Sequence, residues 1–314
     1  MMKNIAVVLP TYNSGALLDL QINSILIQEG VSVEIYLMDD SSSDETKKKI
    51  DDYAGKFKNI YVLEAGRKHG SASQSFFFLL IELSDVLCNF DFVALSDHDD
   101  IWLPSKLSHS IDVLDGCGAS CYSSNFLSVG YDTSWGLSAP FVSDKGGRQN
   151  GYNHYFEGPG PGCTFVLRKN FYIDLVKFIS TDDRQSMLNN VYGHDWFMYI
   201  YATDNQYKWI IDKSPHMLYL QHDSNETGVN RGLNAYKKRI GMLFSGWYLD
   251  QIRTMINIIS PESDIHFRLK RMSFRDRLFF LMMLPRLRRK ISHAFILGLF
   301  FCFAKGTKKE KSAI

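Results

Sequence analysis

The sequence predicts a doubly wound α/β sheet with Rossmann-like alternation of strand and helix, followed by a helical extension at the C-terminus. Three observations carry that prediction. Up to Leu95, short β-branched runs alternate with apolar residues at helical spacing, as strands and their crossover helices do. Polar clusters close the first, second and fourth of these runs, and in open α/β sheets ligands sit beyond the carboxyl ends of the strands. From Arg231 onward the pattern becomes helical and the composition changes.

Ile5-Ala6-Val7-Val8-Leu9, closed by Pro10, reads as a buried parallel strand. Leu17, Leu18, Ile22, Ile25 and Leu26 then recur at helical spacing. Val33-Glu34-Ile35-Tyr36-Leu37-Met38 is a second strand, ending at Asp39-Asp40, after which Ser42 or Ser43 is expected to cap a helix with Glu45 in its first turn. Ile60–Leu63 is a third strand, followed by a glycine-containing loop at 66–70 and an apolar helix around 76–83. Phe92–Leu95 is a fourth strand and runs directly into Ser96-Asp97-His98-Asp99-Asp100. Beyond it, strands are expected at 120–127, 163–167, 208–211 and 216–220, with a Gly/Pro-rich loop at 150–162 and a helix carrying His194-Asp195-Trp196.

The 314 residues are 45% hydrophobic, enough for one sizeable core. The formal charge of +1 conceals a strongly basic stretch at 268–311. A basic, apolar tail points to an anionic membrane surface and not to nucleic acid. The five cysteines form no CxxC pair and read as reduced, packed thiols. Ile5–Leu9 is too short for the apolar region of a signal peptide, so a cytoplasmic location is expected. No stretch reaches the roughly 18 apolar residues of a spanning helix.

The clusters carry the chemistry. Asp97 and Asp99 are two positions apart beyond a strand, and alternate positions of extended backbone face the same side. Two hard carboxylates there suit Mg²⁺ or Mn²⁺. A lone pair of acids would read as a solvated turn. Here the apolar anchor Ile101-Trp102-Leu103 follows, and clustered acids repel one another without a cation. Asp39 is placed to accept from a base N–H or a ribose hydroxyl, with Asp40 ordering the turn. Gly70-Ser71 either brings backbone to ribose or phosphate or is a plain loop. Trp102, Trp196 and Tyr155 are aromatic surfaces for a sugar face, although core packing is the stronger reading for Trp102.

Val8-Leu9-Pro10-Thr11-Tyr12-Asn13, Met38-Asp39-Asp40-Ser41-Ser42-Ser43-Asp44 and Leu95-Ser96-Asp97-His98-Asp99-Asp100-Ile101-Trp102 resemble the successive signatures of family 2 glycosyltransferases. That resemblance covers roughly the first 225 residues and implies the GT-A fold, a doubly wound mixed sheet. The form Ser-Asp-x-Asp-Asp-Ile-Trp and the stretch from Gln221 to Gly228 look most like bacterial rhamnosyltransferases, with His98 standing where that branch is expected to have Gln. The resemblance implies that Pro10, Thr11, Tyr12 and Asp39 surround the nucleotide base and ribose. Asp97 and Asp99 would hold the metal on the diphosphate, His222 would complete that site, and Asp195 would be the catalytic base of an inverting reaction. An inverting displacement needs such a base to take the acceptor's hydroxyl proton.

The expected organisation is therefore a catalytic domain at 1–228 and a helical region at 229–314 with a basic amphipathic tail. The expected reaction moves a sugar, first L-rhamnose from dTDP-rhamnose, to a lipid-linked saccharide acceptor of surface-polysaccharide or O-antigen synthesis. A UDP-hexose donor and a non-catalytic nucleotide- or carbohydrate-binding scaffold are the alternatives. Apolar clusters at 278–284 and 294–304 flank Arg286, Arg288, Arg289 and Lys290. They suggest peripheral attachment at the inner face of the cell membrane, with a helical cap or dimer interface as the other reading.

Overall fold

The computed structural model describes residues 2–132, 136–137, 140–146, 149, 151–222, 241, 245–303 and 306. Asn225 and Gly228 of the late signature, the 228/229 boundary, the start of the helical region at Arg231 and most of the Lys-rich terminus lie outside the described residues.

Two compact units are present: Met1–Gly146 with Pro159–Val229, and Gly147–Gly158 with Asn230–Ile314. The first opens with β1 (Lys3–Thr11), whose residues from Ile5 to Thr11 are all buried. A strand covered on both faces needs this unbroken apolar run. α1 (Leu18–Leu26) buries Leu18, Ile22 and Ile25. β2 (Val31–Asp39) pairs parallel with β1, placing Thr11 opposite Asp39. α2 (Thr46–Lys56), β3 (Ile60–Leu63), α3 (Ala72–Glu82), α4 (Ser84–Leu87) and β4 (Phe92–Leu95) follow. β4 lies parallel to the other edge of β1, with Val8 opposite Leu95. The polar ends of β1, β2 and β4 are thus brought side by side.

The remaining elements of this unit are β5 (Asp100–Trp102), α5 (Lys106–Cys117), β6 (Cys121–Ser124), β7 (Phe126–Asp132), β8 (Gly136–Leu137), β9 (Phe141–Ser143), β10 (Val166–Arg168), α6 (Lys169–Ile179), α7 (Asp182–Leu188), α8 (His194–Asp204), β11 (Trp209–Asp212) and β12 (Met217–Gln221). Among the described residues the main sheet has the order β11-β6-β10-β4-β1-β2-β3, and a second sheet has β5-β12-β7-β8 with β9 on β7. β10 runs antiparallel to both β4 and β6. The sheet is therefore mixed, as expected.

Three local expectations are corrected. The helix after β2 is not capped by Ser42 or Ser43: α2 begins at Thr46, and the Asp44 carboxylate accepts from the Thr46 backbone N–H at 3.0 Å. The run 120–127 is two strands interrupted by Asn125, whose N–H donates to Asp212 at 2.8 Å and whose amide donates to Lys213 at 3.0 Å. At 163–167 the expected strand starts late, because Gly162–Thr164 is a turn of 3-10 helix and the strand begins at Val166.

The second unit holds α9 (Trp247–Ile259), α10 (Asp264–Arg271), α11 (Phe274–Met282) and α12 (Ile291–Phe303). Arg253 on α9 donates to the Leu269 carbonyl at 2.9 and 2.7 Å, tying α9 to the end of α10. α11 starts with a capping box between Ser273 and Asp276. Phe280 of α11 and Phe301 of α12 stack at 4.7 Å, both fully buried. Glu157 forms ion pairs with Arg288 at 3.8 Å and with Arg289 at 3.5 Å.

Candidate functional site

The loops after β1 and β2 are built into each other. Asn13 and Ser41 both have left-handed backbone, at φ 46° and 65°, a conformation that side chains other than Asn and Asp seldom adopt. Cross-bonds hold it: the Asn13 N–H donates to Ser42 Oγ at 2.9 Å, and the Ser43 N–H donates to Asn13 Oδ1 at 2.8 Å. Thr11, buried at the end of β1, donates to the Met38 carbonyl at 3.1 Å and lies 3.4 Å from Asp39 Oδ1. Asp39 accepts from the Ser42 N–H at 3.1 Å and also from the Ser42 hydroxyl.

Tyr12 is exposed at this rim, with the Lys68 ammonium 4.3 Å from its ring centroid and 3.0 Å from its hydroxyl. Asp40 orders the His69-Gly70 loop after β3 rather than its own turn, where Asp39 takes the bonds from Ser42. The two Asp40 oxygens accept from the backbone N–H groups of His69 at 2.5 Å and Gly70 at 2.8 Å. Gly70 has φ 82°, which a side chain would strain. Ser71 then caps α3 by accepting from the Gln74 N–H.

The acidic turn follows β4. Asp99 accepts from His222 Nε2 at 2.9 Å. Burial opposes ionisation of Asp99, but this hydrogen bond and the nearby charges of His98 and His222 hold its carboxyl below the usual range. Asp97 and Asp100 converge instead with Cys163: ligand atoms of the three lie within 4.8 Å of one another. Both Asp100 oxygens are buried with no N–H or O–H donor, only the weakly donating thiol of Cys163 beside them. Burial first, then the charges of Asp99 and Asp97, push the Asp100 carboxyl well up. An orphaned buried carboxylate beside a second acid fits a divalent cation, since two hard oxygen donors remain to be satisfied. Lys106 and Trp102 close the floor beneath the turn. Both are buried, with the ammonium 3.6 Å from the ring centroid, and burial brings Lys106 down to about 7.

Asp195 stands in the first turn of α8 and is partly buried. Burial pushes its carboxyl up to about 6, against the opposing effects of the Trp196 N–H and the Lys145 charge. The preceding His194 is locked in place. Its backbone N–H donates to Ser73 Oγ at 3.1 Å, its Nδ1 lies 3.4 Å from that oxygen, and its ring stacks on Phe76 at 4.3 Å. Burial brings this imidazole down to about 3, so it is neutral.

One short turn lies between the acidic cluster and the helix of Asp195. Cys163 places its thiol at Asp97 and Asp100, and the adjacent Gly162 backs onto His194, the neighbour of Asp195.

The structure thus brings Thr11 beside Asp39, Gly70 beside Asp40, and Asp99 beside His222. The chain turns at His98 and Asp99, so the extended backbone behind the expected alternation is absent, and Asp97 meets Asp100 and Cys163. Trp102 is a core residue, with Nε1 donating to a Gln21 amide oriented to satisfy both its atoms. Tyr155 is also buried, while Trp196 is half-buried. Asp100 and Cys163 escaped the sequence reading. The signal for Asp100 was present in the third acid of the cluster, whereas nothing in the sequence tied Cys163 to it.

The profile of glycosyl transferase family 2 matches residues 6–176. The chain is 32% identical over 257 residues to the dTDP-rhamnosyl transferase RfbG of Shigella flexneri, across 82% of this chain and 86% of that one. It is 23% identical to the Escherichia coli UDP-Glc:alpha-D-GlcNAc-diphosphoundecaprenol beta-1,3-glucosyltransferase WfgD, across 52% of this chain and 59% of that one. Among solved structures, S. aureus TarS 1-349 with UDP superposes at a TM-score of 0.52 and 15% identity, covering 86% of this chain and 69% of that one. The mannosyltransferase PcManGT of Pyrobaculum calidifontis, with GDP-Man and Mn²⁺, gives 0.52 at 12% identity, over 96% and 86%. Those two likenesses show the fold, a GT-A-like mixed sheet. With the sequence match extending through the strand ends that carry Thr11, Asp39 and the acidic turn, the chain belongs to glycosyl transferase family 2 and is a nucleotide-sugar glycosyltransferase.

Proposed function

We propose that the enzyme transfers L-rhamnose from dTDP-rhamnose, with inversion, to a lipid-linked saccharide in bacterial surface-polysaccharide or O-antigen synthesis. It would do so at the cytoplasmic face of a membrane. The observation that carries the reaction type is the Gly162-Cys163 turn, which links the acids of the β4–β5 segment to the helix of Asp195. The donor assignment rests on the similarity to RfbG across most of both chains.

In this reading Thr11, Tyr12 and Asp39 bind the base and ribose, and the ordered Gly70-Ser71 turn bounds the pocket. A Mg²⁺ or Mn²⁺ ion held by Asp97 and Asp99, with His222 beside them and Asp100 as a further donor, would neutralise charge developing on the departing diphosphate. Asp195, raised to about 6 yet ionised at neutral pH, accepts the proton of the acceptor hydroxyl. That oxygen forms its bond to the anomeric carbon from the face opposite the leaving nucleoside diphosphate, whose bond breaks in the same step. Inversion follows from that single displacement. His194, being neutral and enclosed, positions Asp195 and takes no proton itself.

The test is a donor panel with Mn²⁺ or Mg²⁺ and a lipid-linked acceptor pool. Release of dTDP from dTDP-rhamnose, together with a product of inverted anomeric configuration by proton coupling, is the expected result. Release of UDP from a UDP-hexose would replace the donor, and binding without release would leave a scaffold.

A further inference from the structure

Helices α11 and α12 each bury one side and expose an apolar stripe on the other. Phe274, Leu278 and Met282 repeat at four-residue intervals along α11, as do Ile291, Phe295 and Leu299 along α12, and all six are 47% to 81% exposed. The inward side is used up: Asp276, Phe280, Leu297 and Phe301 are buried, and Gly298 lets α12 approach Leu284, whose methyl would stand 2.7 Å from a β-carbon there. The stripes are therefore not the core-facing sides of these helices. Large apolar side chains repeated along the exposed side of each of two successive helices mark a docking surface.

Charge decides the occupant. Between Arg268 and Phe303 the sequence has nine Lys or Arg and one acid, Asp276. That acid is buried and bonded to Arg271 at 2.7 Å. Arg275, Arg286 and Lys290 are exposed at the start of α11 and in the segment joining the stripes. A second copy meeting this face would set like charges against each other, and an acid-poor apolar face fits an anionic bilayer. No helix is long and apolar enough to cross a membrane among the described residues. α12 has 13 residues, about 20 Å of helix against a hydrocarbon core of about 30 Å.

We propose that the exposed stripes of α11 and α12 are the membrane-docking surface of this enzyme, lying in the interface of an anionic lipid leaflet with Arg275, Arg286 and Lys290 at the headgroups. The surface rests on the membrane-face part of the reading above and is independent of the donor sugar. It places the lipid carrier of the acceptor in the same leaflet as the enzyme.

Cys302 extends the α12 stripe and is exposed, as is Cys117 on α5. The test uses the full chain carrying Cys88→Ser and Cys117→Ser, labelled at Cys302 with an environment-sensitive fluorophore. A control carries the label at Cys117 in a Cys88→Ser, Cys302→Ser chain. Phosphatidylglycerol vesicles are expected to shift the emission of the Cys302 label to the blue, reversibly in high salt, and to leave the Cys117 label unchanged. Pure phosphatidylcholine should give little shift. Leu278→Glu with Met282→Glu, and separately Phe295→Glu with Leu299→Glu, should each weaken vesicle partitioning at least about tenfold, with dTDP-rhamnose binding and the melting temperature retained.

No shift at Cys302 on anionic vesicles would overturn the proposal. So would a lipid-free shift that grows with protein concentration alongside a doubled mass by light scattering, since that identifies a second copy. Vesicle binding in a chain that turns over no donor would instead remove the catalytic reading and leave the surface standing.

Discussion

The Nε2 atom of His194 fills the space beside Gly162, so a β-carbon at residue 162 would stand 2.3 Å from it. That imidazole is fixed on its other side by Ser73 and Phe76 and has nowhere to retreat. Gly162→Ala should therefore displace the start of α8, costing about 1–3 kcal/mol of stability, as overpacking does. Activity should fall by more than the loss of folded protein explains. Thermal denaturation and kcat measured on the folded fraction check this, and an unchanged kcat would refute the steric link.

Asp195→Asn should lower kcat by about 10²–10⁴-fold, the range of a positioned general base, with donor KM held within a few-fold. Burial raises this carboxyl to about 6; with its ionised form as the proposed base, activity of the unaltered enzyme should climb as pH rises through about 6 and then level off. A profile flat between pH 5 and 7 (about one unit on each side of that value) would exclude Asp195 as the titrating base.

Removal of divalent metal by a chelator should abolish transfer, and Mn²⁺ or Mg²⁺ should restore it. Asp97→Ala and Asp99→Ala should each weaken Mn²⁺ binding at least about tenfold by equilibrium dialysis, because each removes a hard oxygen donor. His222→Ala separates two roles. As a ligand it should raise the metal requirement, and as a mere partner of Asp99 it should leave metal and donor affinity unchanged.

Asp276 is fully buried at the start of α11. The hydrogen bond from Arg271, acting against the cost of burial and joined by Ser273, holds its carboxyl far below the usual range. A depressed carboxyl stabilises the fold above its unfolded value of about 3.9, and that stability is lost as pH falls toward the lower folded value. Asp276→Ala should cost about 1–2 kcal/mol through loss of its part in the helix cap. The deficit, read from chemical denaturation, should be full near neutral pH and should shrink below pH 4, at about the unfolded value.

Much of the main sheet was legible because its strands are continuous apolar runs with punctuated ends, as in Ile5 to Pro10 and Phe92 to Ser96. Of the second sheet only β12 and the first residues of β7 were legible. β5 has three residues, begins with an acid, and exists through pairing of Ile101 with Leu218, a partner more than a hundred residues away. No local pattern announces such a pairing.

The same limit shaped the site. Asp97 and Asp99 were grouped on the premise of extended backbone, and the turn at His98 and Asp99 removes that premise, bringing Asp100 to Asp97. Cys163 reaches the acids through the antiparallel β10, inserted between β4 and β6. Asp39, Asp40 and Asp195 could be singled out in advance because each closes or opens an element that the sequence delimits well.

Among the described residues the chain crosses between the two sheets three times within short distances: from Leu95 to Asp100, through Asn125 alone, and from Asp212 to Met217. One added residue in the first crossing would slip β5 by a position and reverse its faces, swinging Trp102 out of the core. The spacer is thus a fixed ruler: the number of residues around His98 sets the register of β5. Loop-length variation among enzymes of this design should consequently gather elsewhere, and a one-residue deletion beside His98 should be more damaging than any substitution at that position.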